Sequence, residues 1–159
     1  MISLVAAMTK ERVIGIGNRL PWHMGSESKH YEDIVRGKTI IMGRRVYMAT
    51  KRNGRLIGLH NIVLTRSGMY AKGVDVCHSL DEAISKGFEY GPDIYIIGGE
   101  GVFKDAISKA DTMQLSFIKS DYPGDRFFPE FSESEWEEKS REDFPEFEYV
   151  VYVRKVARD

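Results

Sequence analysis

Short apolar runs alternate along the chain with longer segments whose apolar residues recur at helical spacing. "ISLVAAM" (2–8), "KTIIM" (38–42), "NIVLT" (61–65) and "DIYIIGG" (93–99) are continuous runs of strand length. Such runs mark strands buried on both faces. "GVDVCHS" (73–79) reads as a further strand. The run 93–99 is the most apolar and is expected at the centre of the sheet. Ser26 is placed to cap a helix running to about Arg36, with Gly37 as its stop. A second helix opens after Gly43 over "RRVYMAT" (44–50). A third, "SLDEAISKGF" (79–88), has Ser79 as cap and Glu82 three residues on, the capping-box pattern. "GVFKDAISKA" (101–110) is the fourth. Residues 9–25 and 51–60 read as loops. "TMQLSFIKSD" (112–121) and "FEYVVYVRKV" (147–156) alternate apolar and polar positions, as antiparallel strands near a sheet edge do. The pattern is α/β: a three-layer sandwich with a mostly parallel sheet, antiparallel strands at the C-terminal end and about four helices. The 159 residues form one expected domain, 1–159.

Composition narrows the function classes. The net charge is −1, so no basic field points to nucleic acid. Acidic residues crowd into 130–148 and read as a solvated face. Cys77 is the single cysteine, which excludes an internal disulfide and argues against a cysteine-based metal site. It reads as a small buried hydrophobe in a protein of the reducing cytoplasm. His23, His30, His60 and His78 lack metal-ligand spacing. No apolar run approaches the ~18 residues of a membrane span. The N-terminal run has no basic lead and is too short for a signal peptide. No feature marks an exposed apolar patch, so a monomer is expected.

Two strand-to-helix turns carry anion-binding chemistry. "IIMGRR" ends a strand at Gly43 and starts a helix at Arg44-Arg45. Free backbone N–H groups, the helix dipole and two guanidiniums all favour negative charge there. "YIIGGEGVF" ends a strand at Gly98-Gly99, where glycine permits close approach of a ligand to the backbone. In open α/β sheets, ligands lie at the carboxyl ends of strands. Two such turns in one sheet point to a dinucleotide, and Thr65-Arg66 suit an extra phosphate. Glu27 then stands out. It shares a helix face with Tyr31 and Ile34, next to the Gly-rich loop and Trp22. A carboxylate there can serve the helix dipole alone. In an apolar cleft it can also grip an amidine-like edge through two charge-assisted bonds, and burial would raise its pKa.

In their order, "MISLVAAM", "VIGIGNRLPW", Glu27, "IIMGRR", "NIVLT", "IIGGEGVF" and "GDRFFP" (124–129) resemble the dihydrofolate reductase family, of the short bacterial or bacteriophage type, over essentially the full length. The resemblance implies an eight-stranded sheet with four helices and NADPH across its carboxyl edge. Ala7, Ile14 and Leu20 would surround the nicotinamide. Gly43, Arg44, Arg45 and Val46 would line the phosphate side, with Leu64 beside them. Thr65 and Arg66 would hold the ribose 2′-phosphate. Gly98 and Gly99 would form a cis Gly-Gly bond. Gly99 through Val102, Gly101 among them, would approach the pyrophosphate, Ile97 would be a further cofactor contact, and Phe103 would sit near the nicotinamide. Gly124 and Asp125 would support the loop from the side. Glu27 would bind N3 and the 2-amino group of the pterin of dihydrofolate, with Ser116 as its brace and Trp22 holding a water. Val5, Ala6, Tyr31 and Leu56 would complete the substrate pocket. The implied reaction is hydride transfer from NADPH to pterin C6 with protonation at N5, giving tetrahydrofolate for one-carbon metabolism.

The sequence departs from that family at several positions. Typical members carry an Arg two residues before the Asn of "NIVLT", where it pairs with the glutamate tail of folate. This chain has Leu59, with Arg55 and His60 as candidate replacements. A lost Arg–carboxylate contact weakens binding by about 1.5–3 kcal/mol. Glu27 stands where Asp is usual in bacteria, one methylene longer, so its helix is expected to sit slightly back. Ser28 and His30 make the p-aminobenzoyl pocket more polar. Val46, Gly101 and Phe103 replace Thr, Arg and Tyr. Two alternatives follow: a reductase of another pterin or pyrimidine, and a nucleotide-binding module without turnover.

Overall fold

Six strands run side by side in one direction. They are β1 (Ile2–Met8), β3 (Thr39–Gly43), β4 (His60–Leu64), β5 (Asp75–Cys77), β6 (Ile94–Ile96) and β7 (Thr112–Ile118). With β9 (Trp136–Asp143) and β10 (Phe147–Arg154) they make an eight-stranded sheet in the order β5-β4-β3-β6-β1-β7-β10-β9. This is a computed structural model, and it describes residues 1–17, 20–22, 25–54 and 56–156. The most apolar strand, β6, lies inside the sheet between β3 and β1, as expected. β10 is antiparallel to both β7 and β9. β2 (Val13–Gly15) and β8 (Arg126–Phe127) form a separate two-stranded ribbon.

The period-2 alternation of β1 divides its side chains between two cores. Leu4, Ala6 and Met8 join Ile41, Ile62, Ile96 and Phe103 on one face. Val5 joins Ile40, Met42 and Val63 on the other. Helices α3 (Leu80–Tyr90) and α4 (Glu100–Ala106) cover the first face, through Ala83, Phe103 and Ala106. Helices α1 (Gly25–Val35) and α2 (Arg44–Asn53) cover the second, through Val35 and Tyr47. The three-layer, mostly parallel arrangement with four helices is the one the pattern predicted.

Several local expectations change. α1 begins at Gly25, so Ser26 lies inside its first turn and does not cap it; its hydroxyl donates to Glu146 at 3.3 Å. α2 continues to Asn53, taking in residues read as loop. Lys51 and Arg52 suit the negative end of its dipole, and Gly54 follows. The Ser79 cap is as predicted. Its Oγ accepts the Glu82 N–H at 3.1 Å, and the Glu82 carboxylate accepts the His78 N–H at 3.0 Å. β9 carries no apolar alternation, because beyond Trp136 all its residues are exposed. It is an edge strand held by β10 alone, and its charges suit an edge that must not pair further.

Candidate functional site

A cleft of about 1620 Å³ lies across the carboxyl ends of β1, β3, β4 and β6, bounded by α1, α2 and the first turn of α4. Strand ends place Val5, Ala6, Ala7, Gly43, Leu64, Thr65 and Ile97 on its floor, and Arg66 follows at its edge. The ribbon side adds Ile14, Leu20 and Trp22. Helix α1 contributes Glu27 and Tyr31, α2 contributes Arg44, Arg45 and Val46, and Leu56 follows α2. The turn into α4 brings Gly99, Gly101, Val102 and Phe103. Two of the predicted residues lie elsewhere. Gly98 does not line the cleft. Its carbonyl accepts the Gly43 N–H at 2.7 Å, and a Cβ there would stand 2.8 Å from the Phe103 ring. Ser116 is buried on β7 opposite Ala7, outside the lining, and no hydrogen bond joins it to Glu27 among the described residues.

Glu27 is 3% exposed. Burial raises its carboxyl above the ordinary range. The Trp22 indole N–H offsets part of that rise, although it makes no hydrogen bond of ordinary geometry. Burial, then the Glu27 and Glu32 charges, hold the Tyr31 phenol well above its usual value. The result is one acid and one unspent indole donor, side by side in an apolar wall.

The opposite half of the cleft is cationic. Arg44, Arg45, Arg66 and Arg126 all face it. The Gly43 N–H is spent on Gly98, which corrects the expectation of a free donor there. The N–H groups available to an anion are those of the first turn of α2, whose end has no side-chain cap. Thr65 Oγ1 is 3.1 Å from Ser67 Oγ and accepts the Ser67 N–H at 3.2 Å, which fixes the turn that presents Arg66. The Gly98–Gly99 peptide is cis, as the resemblance implied. Gly101 has open space where a Cβ would stand, and a Cβ on Gly43 would meet Val102 at 3.2 Å. This cradle, with its cations, fits a dinucleotide's phosphates.

The substrate end differs from expectation. His60 stacks on Tyr90 of α3 (centroids 3.7 Å apart, planes 8° apart) and does not line the cleft. Leu59 is 69% exposed. Arg55 lies outside the described residues. Ser28 lines the cleft, but His30 turns away into an aromatic cluster of Phe144, Phe147 and Tyr149. The pocket therefore gains less polarity than the sequence suggested. Sequence reasoning assigned no role to Arg126 or Asn61, which also line the cleft, as does Glu100 within the stretch 99–102 expected near the pyrophosphate. Asn61 opens "NIVLT" and Arg126 stands within "GDRFFP", so both lie in motifs that carry the resemblance.

Fold and site together define an open α/β-sheet protein whose ligand cleft runs over the strand ends, cationic on one side and acidic on the other. The model of the dihydrofolate reductase family matches residues 1–157. The chain is 34% identical over 146 residues to dihydrofolate reductase type 3 of Salmonella typhimurium, covering 91% of this chain and 88% of that one. It is 33% identical over 137 residues to dihydrofolate reductase of Staphylococcus aureus, covering 86% and 82%. Among solved structures, dihydrofolate reductase from Enterococcus faecalis, complexed with NADP(H) and RAB-propyl, aligns with a TM-score of 0.87 at 29% identity, over 98% of this chain and 97% of that one. The chain belongs to the dihydrofolate reductase family, a family of oxidoreductases.

Proposed function

We propose that the protein reduces 7,8-dihydrofolate to tetrahydrofolate with NADPH, as one domain acting as a monomer in the cytoplasm. Buried Glu27 beside the unspent Trp22 N–H carries this reading, because no packing role calls for an acid there. Arg44, Arg45, Arg66 and Thr65 hold the cofactor's phosphates, and Ala7, Ile14, Leu20 and Phe103 pack its nicotinamide end. Bound NADPH supplies the hydride for pterin C6. Glu27 accepts from N3 and the 2-amino group, which fixes the face of the pterin presented to the cofactor. Val5, Ala6, Tyr31 and Leu56 exclude water around it. Orientation and exclusion of water are the protein's share of the work. Burial also makes the Glu27 carboxyl hold a proton more tightly than an exposed one, which suits a reaction in which N5 must gain one.

A second reading, reduction of a pterin without the glutamate tail, is favoured by the position of His60 on Tyr90 and by the exposed Leu59. NADPH oxidation measured with dihydrofolate and with the tail-free pterin separates the two. Preference for dihydrofolate supports the first reading. Equal rates favour the second, and NADPH binding without turnover of either leaves only a nucleotide-binding module.

A further inference from the structure

The ribbon β2–β8 brings Ile14, Gly15 and Arg126 to the cofactor half of the cleft. Strands of three and two residues do not hold themselves in place, so outside contacts must fix them. On the buried side, Phe128 packs on Phe103 of α4 with centroids 5.0 Å apart, and Arg12 donates to the Phe128 carbonyl at 2.5 Å. At the cleft rim the tie is of another kind. Glu100, the first residue of α4, accepts the Phe127 N–H at 2.7 Å. The neighbouring Asp125 donates its N–H to Gly15 O at 3.1 Å and accepts the Gly17 N–H at 2.8 Å. A chain of hydrogen bonds thus runs from the turn after Gly99, through β8, into β2 and Gly17.

Glu100 and Arg126 both line the cleft, yet no ion pair joins them among the described residues. The carboxylate is committed to a backbone amide, which leaves the guanidinium to face the cleft. A Glu in this turn would otherwise oppose a polyanion lying against it.

Resting on the nucleotide reading above, we infer that Glu100 is a positioning residue. It pins the β2–β8 ribbon at the cleft rim and so sets where Ile14 and Arg126 stand against an anionic dinucleotide. It touches neither substrate nor reacting atoms. Its acceptor oxygen does the pinning, and its charge does not.

Amide hydrogen exchange on the unliganded native protein, E100A and E100Q tests the pin without any ligand. The Phe127, Asp125 and Gly17 amides should exchange about tenfold faster in E100A, the loss of about one net hydrogen bond. Amides of β1 and α3 should be unchanged, and E100Q should match the native protein because its amide oxygen still accepts. Native protection in E100A, or E100Q exchanging as fast as E100A, would overturn the inference. NADPH titration gives the second arm: E100A should bind about tenfold more weakly than E100Q. Equal affinity of the two variants would also overturn it. Failure of the native protein to bind NADPH would remove the nucleotide reading, and the unliganded exchange would still decide the pin.

Discussion

Glu27→Gln keeps the length and shape of the side chain and removes its charge, so it separates the function of Glu27 from its burden on the fold. In the folded protein the carboxyl is 3% exposed, and burial lifts its pKa above the ordinary 4.5. Such a group binds its proton more tightly folded than unfolded. Its penalty is absent below the unfolded pKa and grows as pH rises through the folded one. E27Q is therefore more stable than the native protein at pH 7 and equal to it well below pH 4.5. Each kcal/mol of relief appears as about 2–4 °C in Tm for a chain of this size. Catalysis moves the other way. The pterin edge offers two donors, and Gln keeps one acceptor while turning a donor toward the other. At about 1.5–3 kcal/mol for a charge-assisted bond, kcat/KM falls about 10- to 150-fold. Thermal melts at pH 4 and 7, with NADPH-oxidation kinetics on dihydrofolate, read both effects. Activity within about threefold of native would refute the grip. A Tm below native at pH 7 would refute the account of a strained, buried acid.

Three other variants probe the surroundings of the site. His30 has a buried Nδ1 without a partner, and burial lowers its pKa despite the opposing Glu142 and Asp33 charges. A base lowered in this way loses stability as pH falls from 6.5, so H30F should gain about 1 kcal/mol, more at pH 5 than at pH 8; a loss measured by urea unfolding at pH 5 would contradict this. Gly124→Ala places a Cβ 2.4 Å from Val13 Cγ1 and 2.5 Å from Gly15 O, which should cost about 1–3 kcal/mol and weaken NADPH binding. Native affinity in calorimetry would show that the ribbon gives way cheaply. Phe128→Ala empties a fully buried site against Phe103 and Phe131 and should cost about 3–5 kcal/mol by denaturant titration.

Strands β1, β3, β4 and β6 were legible because burial on both faces demands unbroken apolar runs, and "ISLVAAM" and "KTIIM" are such runs; β7, whose alternation reads as an antiparallel strand near an edge, instead pairs parallel with β1 inside the sheet. The Ser79 cap was legible because its hydrogen bond spans only three residues. Elements with weak burial were not. β9 has exposed side chains along nearly its whole length and shows no pattern to read. β2 and β8 are too short to carry a period. Ser26 has the right side chain for a cap, but the start of α1 at Gly25 places it inside the first turn, past the cap position.

For the site, the sequence by itself determined the residue types at the strand ends: the glycines and arginines of two turns, and one acid on an apolar helix face. Those are local facts, since a turn and the helix after it are continuous in the chain. Tertiary structure decided everything that depends on direction and on distant partners. It spent the Gly43 N–H on Gly98, turned His60 onto Tyr90 and His30 into the aromatic cluster, and left Ser116 off the cleft wall. It also joined Glu100 to Phe127, 27 residues away in sequence. Side-chain period and turn chemistry are written within a few residues. The partner that satisfies a buried donor or acceptor is fixed only when separate segments pack against each other.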